Sequence, residues 1–595
     1  MAKNEQNEDE QVTESEDAEV RETTEVSDEP DTDRPVPHRT SEPVAASPKQ
    51  NIFKRLWHWK VTHKKIAVPL DIVLALAVLA AIPFTRYAIA GTFWKQDIRV
   101  AVLDAQTKKP ISSATVSVTS KTATTDNRGR ASLHANTGYA DMTVSKKYYK
   151  TVVTKHVLVP IAKPKADVVV KLEATGRQVP VTVVNKLTNK AVSNAVIKAA
   201  DTEAKTDKDG KAIMVLPADK TTIAATISAN GHNSATATIA VTTETVKANT
   251  FQLTPSGKLY FLSNLSGKID VVKTNLDGSE RQTVLAGTGN ENAANTVLLA
   301  SRDWKYLALL SRRDTSGYDK IYLIETATDK LTTMDEGQAS FNLVGWADHR
   351  FVYHVVRDKV QSWENNKEAL KSYDAEAGKI VTLDQTQGAG NSTNYQYQRF
   401  TNIYPLNNLV LYTVQWDTYN ASQKVPIVRG IQPNGQGKKD YKSFDEAGGS
   451  AYVQALPYGP EEVYFSVYYG GTAHYYEFED GAVKNLATGT GDTAFARSYP
   501  TYLLSPSAKQ TFWADQRDGR NALFIGDDEG KDEKQITSLS DYNTYGWYTD
   551  NYLLVTKKGS ELYILPTSGD PLLKVSDYYK PQQNFRGYGG GYGGL

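Results

Sequence analysis

Leu504-Ser505-Pro506-Ser507-Ala508-Lys509, Thr511-Phe512-Trp513-Ala514, Arg517-Asp518-Gly519, Ala522-Leu523-Phe524-Ile525 and Gln535-Ile536-Thr537 read as short apolar strands separated by turns. Proline presets φ for a turn, and an aspartate followed by glycine accepts the positive φ that a tight hairpin needs. The same order recurs upstream and downstream. Ser301-Arg302-Asp303-Trp304-Lys305 leads into Leu307-Ala308-Leu309, and Lys320-Ile321-Tyr322-Leu323-Ile324 leads to the turn Thr326-Ala327-Thr328-Asp329. Two Trp-led, Asp-bearing turns, at Trp346 to His349 and Trp547 to Asp550, each precede an apolar strand. Beyond Pro255 the period is about 40 to 55 residues, the range of propeller blades. Taking Leu259, Leu307, Val352, Val410, Val463, Phe512 and Leu553 as equivalent inner-strand positions predicts seven blades over residues 255–580, with six or eight still open.

These residues resemble the blades of TolB-like and dipeptidyl-peptidase-type propellers, in which a Ser-Pro-x-x-Lys turn precedes one strand and an Arg-Asp-Gly turn the next. Propellers of the peptidase type are joined to an α/β-hydrolase, which brings a Gly-x-Ser-x-Gly elbow and a later histidine. The sequence has no such elbow, no phosphate-cradling Gly-x-x-x-x-Gly-Lys and no metalloprotease histidine spacing among its nine histidines. Asp527-Asp528-Glu529 sits beside Gly530 in an expected hairpin turn, which is poor support for a glycosidase dyad. The expectation is a protein that is not an enzyme and holds neither cofactor nor metal.

Where the period widens, around Gln385 to Tyr395 and Gln432 to Gly449, Gly, Asn, Gln and Ser predict long loops. Long loops on a rigid scaffold are common binding positions. Tyrosine is abundant, 34 residues against 15 phenylalanines. Half-buried strands favour such rings, and tyrosine also supplies recognition surfaces for proteins and sugars. Tyr395, Tyr397, Tyr452, Tyr468, Tyr469 and Tyr475 are the candidate partner-binding residues.

Between the N-terminal segment and the propeller, one set of signals occurs twice, over 98–174 and 177–253. In the first copy Val100, Val102 and a turn at Lys108-Lys109-Pro110 lead to Ala114, Val116 and Val118. Thr125-Asp126-Asn127-Arg128-Gly129 then turns into Ala131 and Leu133, and Met142, Val144 and Tyr148-Tyr149 close the set. The second copy gives Val181, Val183, Thr188-Asn189-Lys190, Ala195, Val196, Thr206-Asp207-Lys208-Asp209-Gly210, Ala212, Met214 and Gly231-His232. Period-two alternation between such turns predicts small antiparallel sandwiches. Both copies resemble carboxypeptidase regulatory-like, or transthyretin-like, modules, except that Gly231-His232 replaces Tyr148-Tyr149. The resemblance implies spacers without catalytic residues. Asp126, Asp207 and Asp209 read as turn formers, because a calcium loop needs further oxygen ligands at fixed spacing.

Ahead of the repeats, Ile72 to Phe84 is an apolar run behind Lys54, Arg55, Lys60, Lys64 and Lys65. The positive-inside bias places that basic flank, 51–68, in the cytoplasm. A transmembrane helix is expected over 69–94, with Asp71 at the inner boundary, Arg86 snorkelling outward, and Trp57 and Trp59 in the inner aromatic belt. Pro83 is a candidate kink. A cleaved leader ending at Ala88-Ile89-Ala90 is the competing reading. Residues 1–50 hold fifteen acidic and five basic residues, a net of −10, with few large apolar side chains. Such a composition predicts a disordered acidic cytoplasmic tail, and the Gly/Tyr-rich end, 581–595, predicts a second flexible segment. The chain has no cysteine, which excludes disulfides and thiolate sites.

The expected fold is therefore mostly β: a disordered tail, one membrane helix, two sandwiches and a propeller. The expected protein is a bacterial, single-pass, cell-surface protein in a lipid bilayer whose extracellular propeller binds a protein or a glycan, and not nucleic acid. A structural hub of an envelope complex, a secreted form, and a hydrolase or lyase with an unrecognised propeller site stay open as alternatives.

Overall fold

The computed structural model describes residues 52–577, apart from 163–165, 242–248, 292–293, 315–316, 450, 459–460, 492–502, 508, 529, 538–541, 558–560 and 570. The acidic tail over 1–50 and the Gly/Tyr-rich end over 581–595 lie outside the described residues.

The N-terminal segment forms three helices, α1 (Ile52–Thr62), α2 (Lys64–Ala81) and α3 (Pro83–Phe93). This corrects the expected single membrane helix over 69–94. Ile82, between α2 and α3, has φ −76° and ψ 116°, an extended conformation. A residue before proline is pushed out of the helical region by the pyrrolidine ring, so Pro83 ends α2 instead of kinking it. Lys64, Lys65 and Asp71 fall within α2. No described helix is long and apolar enough to cross a membrane. Ala88-Ile89-Ala90 lies inside α3.

The two repeats have the same topology. In the first, a three-stranded sheet of Arg130–Asn136, Lys95–Asp104 and Val168–Leu172 faces a four-stranded sheet of Lys121–Thr124, Thr115–Val118, Gly138–Ser145 and Val152–Val159. The second repeats that order with Lys211–Leu216, Arg177–Asn185 and Asn249–Leu253 against Thr202–Lys205, Val196–Ala199, Thr222–Ser228 and Ala235–Ala240. Alternate residues point inward, as strand geometry requires. Val100, Val102, Val116, Met142 and Val144 fill the first core, and Val181, Val183, Ile197, Met214 and Ile227 the second. The Asp126 and Asp207 carboxylates cap their turns, accepting from the backbone N–H of Arg128 and Arg130 and of Asp209 and Lys211. Gly129 and Gly210 supply the positive φ, 70° and 71°.

After residue 255 come seven sheets, each built from consecutive strands. Blade 1 has three strands (Lys258–Ser263, Asp270–Asn275, Gln282–Leu285), blade 4 has five (Gly388–Asn391 through Lys439–Ser443), and the others have four. Of the positions named as equivalent from sequence, Leu307, Val352, Val463, Phe512 and Leu553 lie on the second strand of their blades, Val410 on the third strand of blade 4 (Val410–Tyr419), and Leu259 on the first strand of blade 1. The first strands of blades 3 and 5 both contact Asn394–Pro405 of blade 4. The second strands are sandwiched by flanking blades and are buried along most of their length, which is why they read as continuous apolar runs. The Asp518-Gly519 turn connects Gln510–Arg517 directly to Arg520–Asp527, and both turn residues have positive φ, as a two-residue hairpin of the primed type requires.

No described sheet mixes strands of blades 1 and 7. Among the described residues, blades 1 and 7 meet through side chains. Tyr548, Leu554 and Ile564 of blade 7 share one core with Leu259, Phe261 and Val272 of blade 1 and Leu307 of blade 2. The Trp304 and Tyr548 rings lie 5.1 Å apart across this closure. Leu187, from the second repeat, is fully buried in the same core. Around it, Lys186 pairs with Asp277 at 2.7 Å and Asn185 donates to the Tyr552 hydroxyl at 3.2 Å.

Candidate functional site

Blade 4 departs from its neighbours by one long hairpin. Asn394–Pro405 and Val410–Tyr419 have twelve and ten residues, and the extra strand Gly388–Asn391 pairs with the outer part of the first. Asn391 caps the intervening turn, its Oδ1 accepting from the N–H groups of Thr393 and Asn394. The stretch around Gln385 to Tyr395, expected to be a loop, is therefore largely strand. Pairing with the extended hairpin supplies its backbone with partners that its polar composition does not advertise. Gly388 permits the fit, since a Cβ there would lie 2.7 Å from the Trp363 backbone carbonyl.

Between this hairpin and the edge of blade 3 lies an open cleft of about 760 Å³. Blade 3 contributes Asn365, Asn366 and the run Thr382 to Gln387, while blade 4 contributes Gln396, Trp416, Lys424 and Lys438. Five of the lining residues, Asn365, Asn366, Gln385, Gln387 and Gln396, carry side-chain amides. Each amide both donates and accepts, a match for ligands rich in hydroxyl groups. Trp416 provides an aromatic face, with the Lys424 ammonium 4.1 Å from its centroid.

Asp384 is the buried charge of the wall, and its partners converge from the next blade. Tyr412 donates to its Oδ2 at 2.6 Å, Arg429 to the same oxygen at 3.2 Å, and Lys438 to Oδ1 at 3.1 Å. Burial pushes the Asp384 carboxyl up, and the bonds from Tyr412 and Lys438 outweigh it, leaving the group below its ordinary value. The Tyr412 phenol is raised, first by burial and then by Asp384. Behind the cleft, the buried pair His354 and Glu368 meets at 3.0 Å, and the Phe400 N–H donates to the same carboxylate oxygen at 2.9 Å.

The structure places the candidate tyrosines in two groups. Tyr395 and Tyr397 stand on the long hairpin, half-buried, where Tyr395 stacks with Trp363 and Tyr419 at 6.2 and 5.7 Å. Burial, then Asp417, pushes the Tyr397 phenol up to about 12. Tyr452 and Tyr468 are cross-strand partners on blade 5, and both are exposed. Tyr469 is half-buried, stacked on His474 at 3.7 Å, and Tyr475 is half-buried nearby in sequence. None of the six lines the cleft. Asn365, Gln396 and Trp416 do, and sequence reasoning missed them. Their signal in the sequence is the Asn/Gln enrichment after Gln385, a composition that predicts loop.

No family model matches the chain, and no curated protein matches it. Solved structures similar to it include an oligogalacturonate lyase from Vibrio parahaemolyticus, at 10% identity over 53% of this chain and 88% of that one, with a TM-score of 0.33. The β-propeller domain of the Trilobed protease from Pyrococcus furiosus matches at 12% identity over 62% and 95%, with a TM-score of 0.32. An acylaminoacyl peptidase from Pyrococcus horikoshii matches at 12% identity over 60% of this chain and 51% of that one, with a TM-score of 0.30. The likeness is one of fold alone and assigns this chain no reaction. It does correct the expectation of a protein that is not an enzyme, because these neighbours are by name mostly enzymes or parts of them. The absence of a nucleophile elbow from these 595 residues has no bearing on chemistry carried by a propeller itself.

Proposed function

We propose that the chain is a membrane-attached surface protein whose propeller takes a glycan in the cleft between blades 3 and 4. The observation that carries this reading is the wall itself, which brings Asn365, Asn366, Gln385, Gln387 and Gln396 into one cleft with Trp416. Amide groups pair with sugar hydroxyls, and an aromatic face covers the apolar face of a sugar ring. The two small sandwiches, which resemble carboxypeptidase regulatory-like modules, act as spacers between membrane and propeller.

Membrane attachment is supported by the uncovered apolar side chains of α2, among them Ile72, Leu74, Leu76 and Val78, each more than half exposed. An all-round apolar helix is at home in lipid or in a protein core. In this reading the N-terminus is cytoplasmic and the repeats and propeller are extracellular. The exposed Tyr452 and Tyr468 pair favours a second reading, a protein partner on blade 5.

A glycan array probed with the full chain in detergent tests the first reading, followed by calorimetry on any hit. Trp416→Ala and Gln396→Ala should each weaken binding at least about tenfold, the loss of one good contact. Hits that bind both variants as well as the parent, or an array without hits, would defeat the glycan reading. Loss of a crosslinked protein in Tyr452→Ser and Tyr468→Ser would support the second.

A further inference from the structure

In a helix, residues three and four apart share a face. Lys60 therefore stands on the face of α1 that carries Leu56 and Trp57, both exposed. A cation in the middle of an apolar face is unusual, and the structure gives it a specific partner. Its Nζ meets Oδ1 of Asp71 at 2.5 Å, and Asp71 is the one acidic residue of α2. Eleven residues of straight helix span about 16 Å, more than the two side chains can bridge. The contact exists because the chain bends at His63, whose φ of −116° and ψ of 43° are not helical. Ala67, just past the bend, is the one buried hydrophobic residue among the described side chains of α2. The bend thus removes one misplaced charge from each helix, leaving Leu56, Trp57, Trp59 and Val61 of α1 exposed with the apolar side chains of α2.

We propose that α1 lies along the surface of a bilayer rich in anionic lipid, folded against α2 by the Lys60–Asp71 pair. The proposal rests on the membrane attachment argued above and goes beyond it, by giving α1 a place and the membrane a charge. With Lys60 neutralised by Asp71, the basic residues left from 52 to 65 are Lys54, Arg55, Lys64 and Lys65, with no acid among them. A basic segment with exposed Trp and Leu matches an anionic headgroup layer over acyl chains.

The absence of cysteine allows one clean label. The full chain with Leu56→Cys, carrying an environment-sensitive dye, is placed in nanodiscs of phosphatidylcholine alone or with about a third phosphatidylglycerol, a strongly anionic surface. Expected is dye quenching by acrylamide, a neutral quencher that the surface charge does not repel, that is about tenfold slower in the anionic discs, reflecting several headgroup contacts. Replacing Lys54, Arg55, Lys64 and Lys65 by Gln together should abolish that difference. Lys60→Gln, which leaves Asp71 unpaired, should restore fast quenching in both discs. Equal quenching in the two discs, or slow quenching that survives Lys60→Gln, would overturn the proposal. So would a dye shielded without lipid in proportion to protein concentration, which would make a second copy the occupant. Failure to enter either disc would instead defeat membrane attachment itself.

Discussion

Tyr412 of blade 4 donates a 2.6 Å hydrogen bond to Asp384 of blade 3, and the arrangement is repeated one seam earlier, where Tyr353 of blade 3 donates to Asp335 of blade 2 at 2.8 Å. In both, a cation from the tyrosine's own blade joins the carboxylate, Arg429 at 3.2 Å and Lys371 at 2.7 Å. Tyrosine abundance thus has a structural use that recognition does not require: a ring fills the seam and its hydroxyl reaches across it.

Removing the Tyr412 hydroxyl should weaken the seam through Asp384. A carboxyl held below its ordinary value contributes stability that is present above its unfolded pKa and lost as pH falls through the folded one. Tyr412→Phe should cost about 1–3 kcal/mol near neutral pH. The difference from the parent should shrink on acidification as Asp384 takes up its proton. Urea unfolding on both sides of the carboxylate range checks this, and a pH-independent difference would contradict it.

Lys146 gives the opposite dependence. It sits between the two sandwiches, donating to the carbonyls of Ser112 at 2.6 Å and Glu203 at 3.0 Å. Burial lowers its pKa from 10.5 to about 8, against the pull of Glu203. Between those two values the unfolded chain holds a proton that the folded one has released, so stability from this group rises with pH across that window. The rise should amount to roughly 2–3 kcal/mol and be missing in Lys146→Gln. Thermal unfolding of both proteins across the window provides the comparison.

Gly388→Ala should push the extra strand of blade 4 off the Trp363 loop, because the new methyl would meet backbone that has nowhere to yield. A loss of about 1–3 kcal/mol is expected for such overpacking. Faster amide exchange confined to Gly388–Asn391 and its partner strand would locate the effect.

Leu187→Ala should cost about 2–5 kcal/mol, the range for emptying a buried leucine site. The loss should register in the propeller, since the side chain lies among Leu259, Tyr548 and Leu554. Tryptophan fluorescence is a suitable probe, because Trp304 and Trp547 flank that region. An unchanged propeller transition would mean that the core tolerates the cavity.

Local turn chemistry was legible. Asp126, Asp207 and Asp518-Gly519 each act within a few residues, and the structure uses them as turns. Repetition exposed the blades for the same reason, because each is assembled from neighbours in sequence. What sequence could not supply was registration between blades. Asp384 and Tyr412 are 28 residues apart, and nothing local joins them. The cleft was hidden by its composition, since Asn, Gln and Gly disfavour strands unless a partner strand overrides the preference. Pro83 was visible all along, but its consequence depended on whether the helix resumed in line, which the extended Ile82 decides.

Leu187 belongs to one folding unit and completes another. The ring's first and last blades meet around a side chain that the ring does not own, so severing the chain after Leu253 would leave a hole where the circle joins. The spacer is then no tether. With Lys186 and Asn185 bonded to blades 1 and 7, it behaves as a handle welded to the wheel at its closure. Force or rotation applied at the cleft would be delivered to the sandwiches without a slack joint between, and tension on the sandwiches would act first on the closure of the ring.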